Sequence, residues 1–377
     1  MNFLQTHTTG QHIYRIDFAV ILEAGNLTRY RITRPIVEED PSVFARWFPI
    51  RTWVPDDPFR WLPVDTRIRV RHFLDSWRLY LRTRSDALVI HAFETYPLYA
   101  LYHRLMHRRD LIVNNPDGDL PSHHTGWKAR LWDNAIQETQ LFLPWSSWAA
   151  QRIIQAFNLP LQRVCPLHPG IDLRRWIFRG IQPWHERPQL LFVAANPLLK
   201  GGDTLLEAFQ GQLASSCDLT IACRSAHLTP AFRQQLAAIP NVRLICDLPP
   251  DSDALRNLYR QADVFISPTK SDTSSWVALE AMATGVPVII APQGGIPEIV
   301  RDRETGLLIP PRSPGAIVTA LSLLRDEPAL RNRIIQQARR HVEICFDACI
   351  NTRRLLDYVK AAIDERNARG ALYASKK

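Results

Sequence analysis

The sequence lacks several things that would have settled its class early. No apolar run approaches the roughly 18–20 residues that a membrane-spanning helix needs. There are six cysteines in 377 residues and no Cys-x-x-Cys pair, so neither a disulfide framework nor a zinc site is written here. Cys345 and Cys349 stand four apart, but no His or Cys sits at finger spacing from them. The opening MNFLQTHTTG lacks the basic-then-apolar pattern of a secretory leader. Reduced thiols and a cytoplasmic location are therefore expected. Internal repeats and low-complexity segments are also missing. With 46% hydrophobic and 22% charged residues, the chain is not disordered, collagenous or a long coiled coil.

What is present points to two domains, at roughly 100–200 residues each. The net charge is +9, which suits phosphorylated ligands or an anionic surface. Residues 1–180 carry 23 Lys and Arg against 17 Asp and Glu, and ten of the eleven tryptophans lie at or before Trp184. The halves thus differ in composition, and residues 178–187, around Pro183, read as the linker. Residues 1–34 hold a short strand (Asn2–Gln5), a turn ending at Gly10 and a helix-like stretch to Gly25. Residues 35–65, rich in Pro and Trp, read as a long loop. Residues 66–84 read as an amphipathic helix, with Val70, Phe73, Leu74, Trp77 and Leu81 on one face and Arg67, Arg71, Arg78 and Arg82 on the other. Its basic face, near Trp47, Trp53 and Trp61, is either a solvated surface or a seat on anionic membrane. No nucleic-acid-binding motif is present.

From residue 87 onward strands and helices alternate. Strands are expected at 87–91, 111–113, 141–143 and 164–167, with helices at 96–107 and 146–157. After the linker the alternation restarts, with strands at 190–194, 219–223, 242–246, 264–267 and 288–290. Helices fall at 203–213, 230–238, 253–261 and 276–283, and a long one around 349–368. Such alternation implies two doubly wound α/β domains in series. Ligands in these folds sit at the carboxyl ends of the strands, here in a cleft between the domains.

The segment from Val264 to Pro311 carries the chemistry. A strand ends at Pro268, a polar loop follows, and a helix begins at Ser274 or Ser275, either of which can cap it. Gly285 closes the helix, with Pro287 just beyond. The helix N-terminus offers free N–H groups and a positive dipole end to the crevice, a natural diphosphate site. Asp272 lies just before the helix and Glu280 more than a turn inside it.

The ordered motifs are Asp272-x7-Glu280, Ala281-Met282-Ala283-Thr284-Gly285-Val286-Pro287-Val288, Gly294-Gly295-Ile296-Pro297-Glu298 and Thr305-Gly306-Leu307-Leu308. This block resembles the nucleotide-sugar signature of the retaining GT-B glycosyltransferases of family four, the group 1 type. Leu191-Phe192-Val193 with Lys200-Gly201-Gly202, His168-Pro169-Gly170-Ile171-Asp172 and Leu143-Pro144-Trp145-Ser146 fit in order, so the resemblance covers about 140–368. It implies a GT-B fold: two Rossmann-like doubly wound parallel-sheet domains facing a central cleft. Residues 1–178 would hold the acceptor and 179–348 the nucleotide sugar, and 349–377 would be a C-terminal helix packing back on the first domain.

The resemblance also implies roles. Glu280 would hold the ribose hydroxyls, and Asp272, in place of the family's first Glu, would place the transferred sugar. Lys200 and the backbone N–H groups of Ser274, Ser275 and Trp276 would neutralise the leaving diphosphate. Configuration would be retained without a metal or other cofactor, the nucleoside-diphosphate sugar being a substrate. The acceptor would be a glycan or lipid-linked sugar. Departures are visible too. Ala194-Ala195 stand where the family carries Gly-Arg, and Arg224 is the candidate substitute. Thr273 and Ser275 replace glycines. Asn115 and Asp117 stand where a histidine is often found and are candidates for acceptor contact, as is Gly10 for approach to the donor phosphates. Glu298 either binds donor or caps a turn. The competing readings are a non-catalytic nucleotide- or glycan-binding relative and an epimerase or phosphorylase on the same fold. The last needs a longer chain, and the acid pair suits an epimerase poorly.

Overall fold

The computed structural model describes residues 12–21, 33–50, 74, 85–90, 96–108, 110–118 and 126–374. Five strands of the first half form one parallel sheet in the order β2-β1-β3-β4-β5. They are β1 (Tyr14–Ile21), β2 (Val43–Ile50), β3 (Ala87–Ile90), β4 (Leu111–Asn114) and β5 (Thr139–Phe142). Every residue of β3 and β4 is buried, as strands covered on both faces require. Helices α1 (Tyr96–Leu105), α2 (Trp127–Glu138) and α3 (Ser147–Phe157) follow β3, β4 and β5.

Residues 14–21 were expected to be helical and instead form an interior strand, between β2 and β3. Ile16 and Phe18 pack on one side with Val89 and Val113, and Ala19 on the other with Tyr99 and Ile153. Asp17 breaks the apolar pattern, yet it is buried, because Arg46 of β2 clamps its carboxylate through two bonds of 2.7 Å. The expected loop at 35–65 contains a helical turn at residues 33–38 and the whole of β2. As an edge strand β2 tolerates Pro49. Helix α2 occupies residues for which no element was expected. The expected strand at 164–167 is reduced to a bridge from Val164 to Phe142, extended by N–H bonds from Cys165 and Leu167. Asn2–Gln5, Gly10, Trp53, Trp61 and, apart from Leu74, the basic helix at 66–84 lie outside the described residues.

The second sheet is also parallel, in the order β11-β10-β9-β6-β7-β8. Its strands are β6 (Gln189–Ala194), β7 (Asp218–Cys223), β8 (Val242–Cys246), β9 (Val264–Ser267), β10 (Val288–Ile290) and β11 (Leu307–Leu308). Alternation along the strands divides their side chains between two cores. Leu190, Phe192 and Ile266 face one, and Leu191, Phe265 and Ile290 the other. The chain winds from β6 to β8, then crosses back to β9 on the other side of β6. The carboxyl ends of β6 and β9 thus flank the point where strand order reverses, the place such sheets keep for ligands. Helices α4 (Gly202–Ala208), α5 (Pro230–Ala238), α6 (Asp253–Gln261), α7 (Trp276–Thr284), α8 (Ile296–Ile299), α9 (Pro314–Asp326) and α10 (Pro328–Cys345) complete this domain.

The last helix, α11 (Ala348–Ala374), returns to the first domain. Leu355, Leu356, Val359 and Ile363 enter the same core as Ile16 and Phe18. The two crossings between domains touch: a Cβ on Gly170 would lie 2.4 Å from the Ala348 Cα, and Asn351 donates to the His168 carbonyl at 3.2 Å. Among the described residues no helix is long and apolar enough to cross a membrane.

Candidate active site

The loop after β6 and the loop after β9 are pressed together by a glycine. Gly201 has φ 80°, and a Cβ there would lie 2.0 Å from the Pro268 carbonyl oxygen. This approach seats Lys200 beside the second loop. Its Nζ donates to the Ser271 carbonyl at 2.9 Å and lies 2.9 Å from Asp272 Oδ1. Burial raises the Asp272 pKa above the usual carboxylate range, and the ammonium works against that rise. An ammonium has three protons, so Lys200 can keep both contacts and still meet a phosphate oxygen.

Helix α7 begins in this crevice. Ser275 occupies the cap position, but the expected side-chain cap is not made, and its buried Oγ has no partner. The first N–H groups of α7 are left to the crevice, where their dipole favours an anion. At the other end Gly285, with φ 88°, donates to the Ala281 and Met282 carbonyls, which ends the helix where the sequence indicated. Its missing side chain also makes room for the Phe178 ring, 2.6 Å from where a Cβ would be.

A cavity of about 410 Å³ lies over the N-terminal end of α7, within the range of small-molecule sites. Ala194, Ala195, Leu248, Pro250 and Val277 supply apolar wall, and Arg224, Ser274 and Glu280 supply polar groups. Asp117 and Trp145 close it from the first domain, the Trp145 ring standing edge-on to Trp276 at 5.9 Å. Ala195 leaves no cation at its position, but the Arg224 N–H bonds to the Ala195 carbonyl at 3.3 Å, so an arginine stands next to it. Deeper in, Glu280 accepts a 2.7 Å hydrogen bond from the Tyr259 hydroxyl. Burial, with Asp251 nearby, pushes the Glu280 carboxyl up to about 8 against the pull of the phenol. A second hollow of about 300 Å³, lined by Gln189, Asp218 and Asn241, opens at the opposite strand ends, where no helix N-terminus faces it.

Residues 174–341 match the family described as glycosyl transferases group 1. Through this domain the chain is similar to the group 1 glycosyltransferases. A D-inositol 3-phosphate glycosyltransferase of Thermomonospora curvata is 31% identical over 247 residues, 59% of this chain and 57% of the relative. The chain thus spans little over half the length of that curated relative. A glycosyltransferase from Rickettsia africae shares the fold with a TM-score of 0.72 at 14% identity, covering 93% of this chain and 99% of its own. The Anabaena protein HepE, solved in complex with UDP, gives 0.69 at 13%, covering 93% and 100%. The architecture is therefore GT-B.

Within this GT-B fold, Lys200 and Asp272 meet directly, and Ser274, Trp276, Arg224 and Glu280 line the neighbouring cavity. Two expectations turn out differently. Glu298 does not line the cavity. Its carboxylate accepts from the Ser147 and Trp148 N–H groups at 2.9 Å each, across the domain boundary. It is a cap, but of a helix 150 residues away. Asn115 is wholly buried; its amide bonds the Leu143 carbonyl and accepts from the Trp145 indole at 3.2 Å, so it braces the Trp145 loop. Gly10 lies outside the described residues; it precedes β1, whose carboxyl end leads into residues 22–32. Tyr259 went unnoticed. Its only sequence signal is an aromatic on α6, and the contact to Glu280 spans 21 residues. Among the described residues no group of three His, Cys, Asp or Glu could hold a metal ion.

Proposed function

We propose that the protein transfers a glycosyl group from a nucleoside-diphosphate sugar to a hydroxyl acceptor, with retention of configuration and without a metal. The observation that carries this reading is one cavity lined by Glu280, Arg224 and the start of α7, with the Lys200–Asp272 pair next to its Thr273 wall. Glu280, in the apolar part, would accept hydrogen bonds from the ribose. The diphosphate would lie over the α7 N-terminus between Lys200 and Arg224. The sugar would extend toward Asp272, facing Asp117 and the acceptor domain. As the bond from the anomeric carbon to the phosphate oxygen breaks, negative charge grows on the diphosphate, and fixed donors aimed there lower the barrier. The departing phosphate oxygen would take the acceptor proton, so no protein base is assigned.

The acceptor is proposed to be a glycan or lipid-linked sugar. The name of the relative adds a phosphorylated cyclitol, a small polyol that a basic first half could also hold. Seating on anionic membrane through residues 66–84 belongs to the glycolipid version. A non-catalytic reading draws on Ala195 and on the Asp272 charge that already occupies Lys200. A panel of UDP-, GDP- and ADP-sugars separates the two, followed by thermal shift and by product release. A ligand that binds only the folded state raises its melting point. The enzyme reading expects one nucleotide sugar to stabilise the wild type, a loss of that effect in Lys200→Ala and Glu280→Ala, and sugar transfer in the presence of acceptor. No stabilisation by any of them would end it.

A further inference from the structure

We propose that Tyr259 is a positioning residue for donor binding: its hydroxyl holds one oxygen of Glu280, so that the rest of the carboxylate faces the ribose hydroxyls. The proposal rests on the reading that a nucleotide occupies this cavity. Tyr259 is fully buried on α6, its ring edge-on to Trp176 at 5.3 Å and stacked on Phe265 at 5.9 Å. Its place is fixed by packing, independently of any ligand. The hydroxyl reaches Glu280 Oε2 at 2.7 Å and the Val277 carbonyl, one turn earlier on α7, at 3.3 Å. The carboxylate it holds lines the cavity.

The surroundings make this bond matter. Asp251, from the loop before α6, is the anion that acts on Glu280, and its own charge is held by Arg256 at 2.8 Å and by Arg175. Ser274 and Trp276, at the start of α7, are neutral. Arg224 lines the same cavity, and Lys200 is paired with Asp272. Among the described residues no cation pairs with Glu280, and the phenol is the polar group that supports its carboxylate. Ribose hydroxyls donate to an ionised carboxylate and compete with its proton. Burial holds that proton up to about 8, and the Tyr259 bond works to release it. Nucleotide affinity should therefore rise with pH up to about 8 and then level off, and loss of the hydroxyl should move that midpoint upward.

The test is calorimetric titration of UDP, with GDP and ADP in parallel, between about pH 6.5 and 9.5. Wild type, Tyr259→Phe and Glu280→Gln would be compared, with thermal unfolding of each. Phe keeps the ring and its packing. We expect Tyr259→Phe to weaken binding about 5- to 30-fold near neutrality and to shift the midpoint up by about one pH unit. Glu280→Gln should bind weakly at all these pH values. A fluorotyrosine placed at 259, the same shape with a stronger donor, should move the midpoint down. A Tyr259→Phe variant with a lowered melting point but the wild-type midpoint would make Tyr259 a packing residue and overturn the proposal. Undiminished binding by Glu280→Gln, or no nucleotide bound by the wild type, would overturn the donor-site reading, and this inference with it.

Discussion

The two ends of the proposed donor site hold carboxylates eight residues apart in very different company, Glu280 in the cavity wall and Asp272 beside it. Asp272 faces the ammonium of Lys200 at 2.9 Å, and Glu280 faces the neutral phenol of Tyr259 at 2.7 Å. Burial raises the pKa of both. At one end a full charge and two backbone N–H groups oppose that rise; at the other a single hydrogen bond opposes it and the nearby anion of Asp251 adds to it. The Asp272 end is therefore an ion pair into which a diphosphate can insert. The Glu280 end is a carboxyl poised near neutrality, stabilised as an anion by whatever donates to it. In the proposed reaction, charge changes hands at the first end and recognition occurs at the second.

Removing Lys200 breaks the comparison most severely. Lys200→Ala should lower turnover about 10²- to 10³-fold, the usual cost of losing one preorganised donor to developing negative charge. It also leaves Asp272 buried beside no cation, so its pKa rises further and the variant gains stability as pH falls. Steady-state kinetics and melting points across pH would show both. A variant with only a raised KM would place Lys200 in ground-state binding instead.

Glu280→Gln sharpens the other end. A carboxyl whose pKa rises from 4.5 to about 8 on folding is no burden below pH 4.5. It becomes one as pH climbs between the two values, and the burden is complete above about 8. Glu280→Gln should therefore stabilise the ligand-free protein by about 1–3 kcal/mol at pH 8 or above, fading toward nothing near pH 4.5, while donor affinity falls. Stability gained where function is lost is the common sign of a binding site held under tension. Chemical denaturation at two pH values measures it, and an equal effect at both would refute the assignment.

What the residues alone disclosed follows from how local each signal is. Helix α7 could be read closely because its limits are set nearby: Pro268 ahead, Gly285 and Pro287 behind, and two acids on the segment between. Strand β1 was misread because Asp17 interrupts the apolar pattern. The arginine that pays for its burial is 29 residues away on β2, a partner that only the sheet order supplies. The same holds for Tyr259 and for Asn115, whose amide faces a strand 28 residues on. Lys200 was recognisable from its Lys-Gly-Gly motif and Asp272 from its spacing to Glu280, but their meeting was not, since Gly201 brings two distant loops together. Spacing identified the groups, and topology decided which of them meet.

Glu298 offers the smallest effect and the cleanest separation of domain coupling from donor binding. The turn that carries it lies between the donor loop and the acceptor domain. A Cβ on Gly294 would be 2.2 Å from the Asp272 carbonyl oxygen, and one on Gly295 would be 2.8 Å from Ser146 Oγ. Gly295 donates to the Thr273 carbonyl at 2.9 Å, and the Glu298 carboxylate takes the first N–H groups of α3. An anion at a helix N-terminus is worth about 0.5–2 kcal/mol. Ser146 keeps a third N–H, that of Ala149, satisfied at 3.0 Å, so the helix will not unravel. Glu298→Ala should cost about 1 kcal/mol of stability and leave nucleotide affinity within about twofold, because the residue does not line the cavity. If turnover with acceptor falls much further than that, the bond between domains is setting the distance between donor and acceptor. If nucleotide affinity itself collapses, Glu298 reaches the donor in a conformation other than this one.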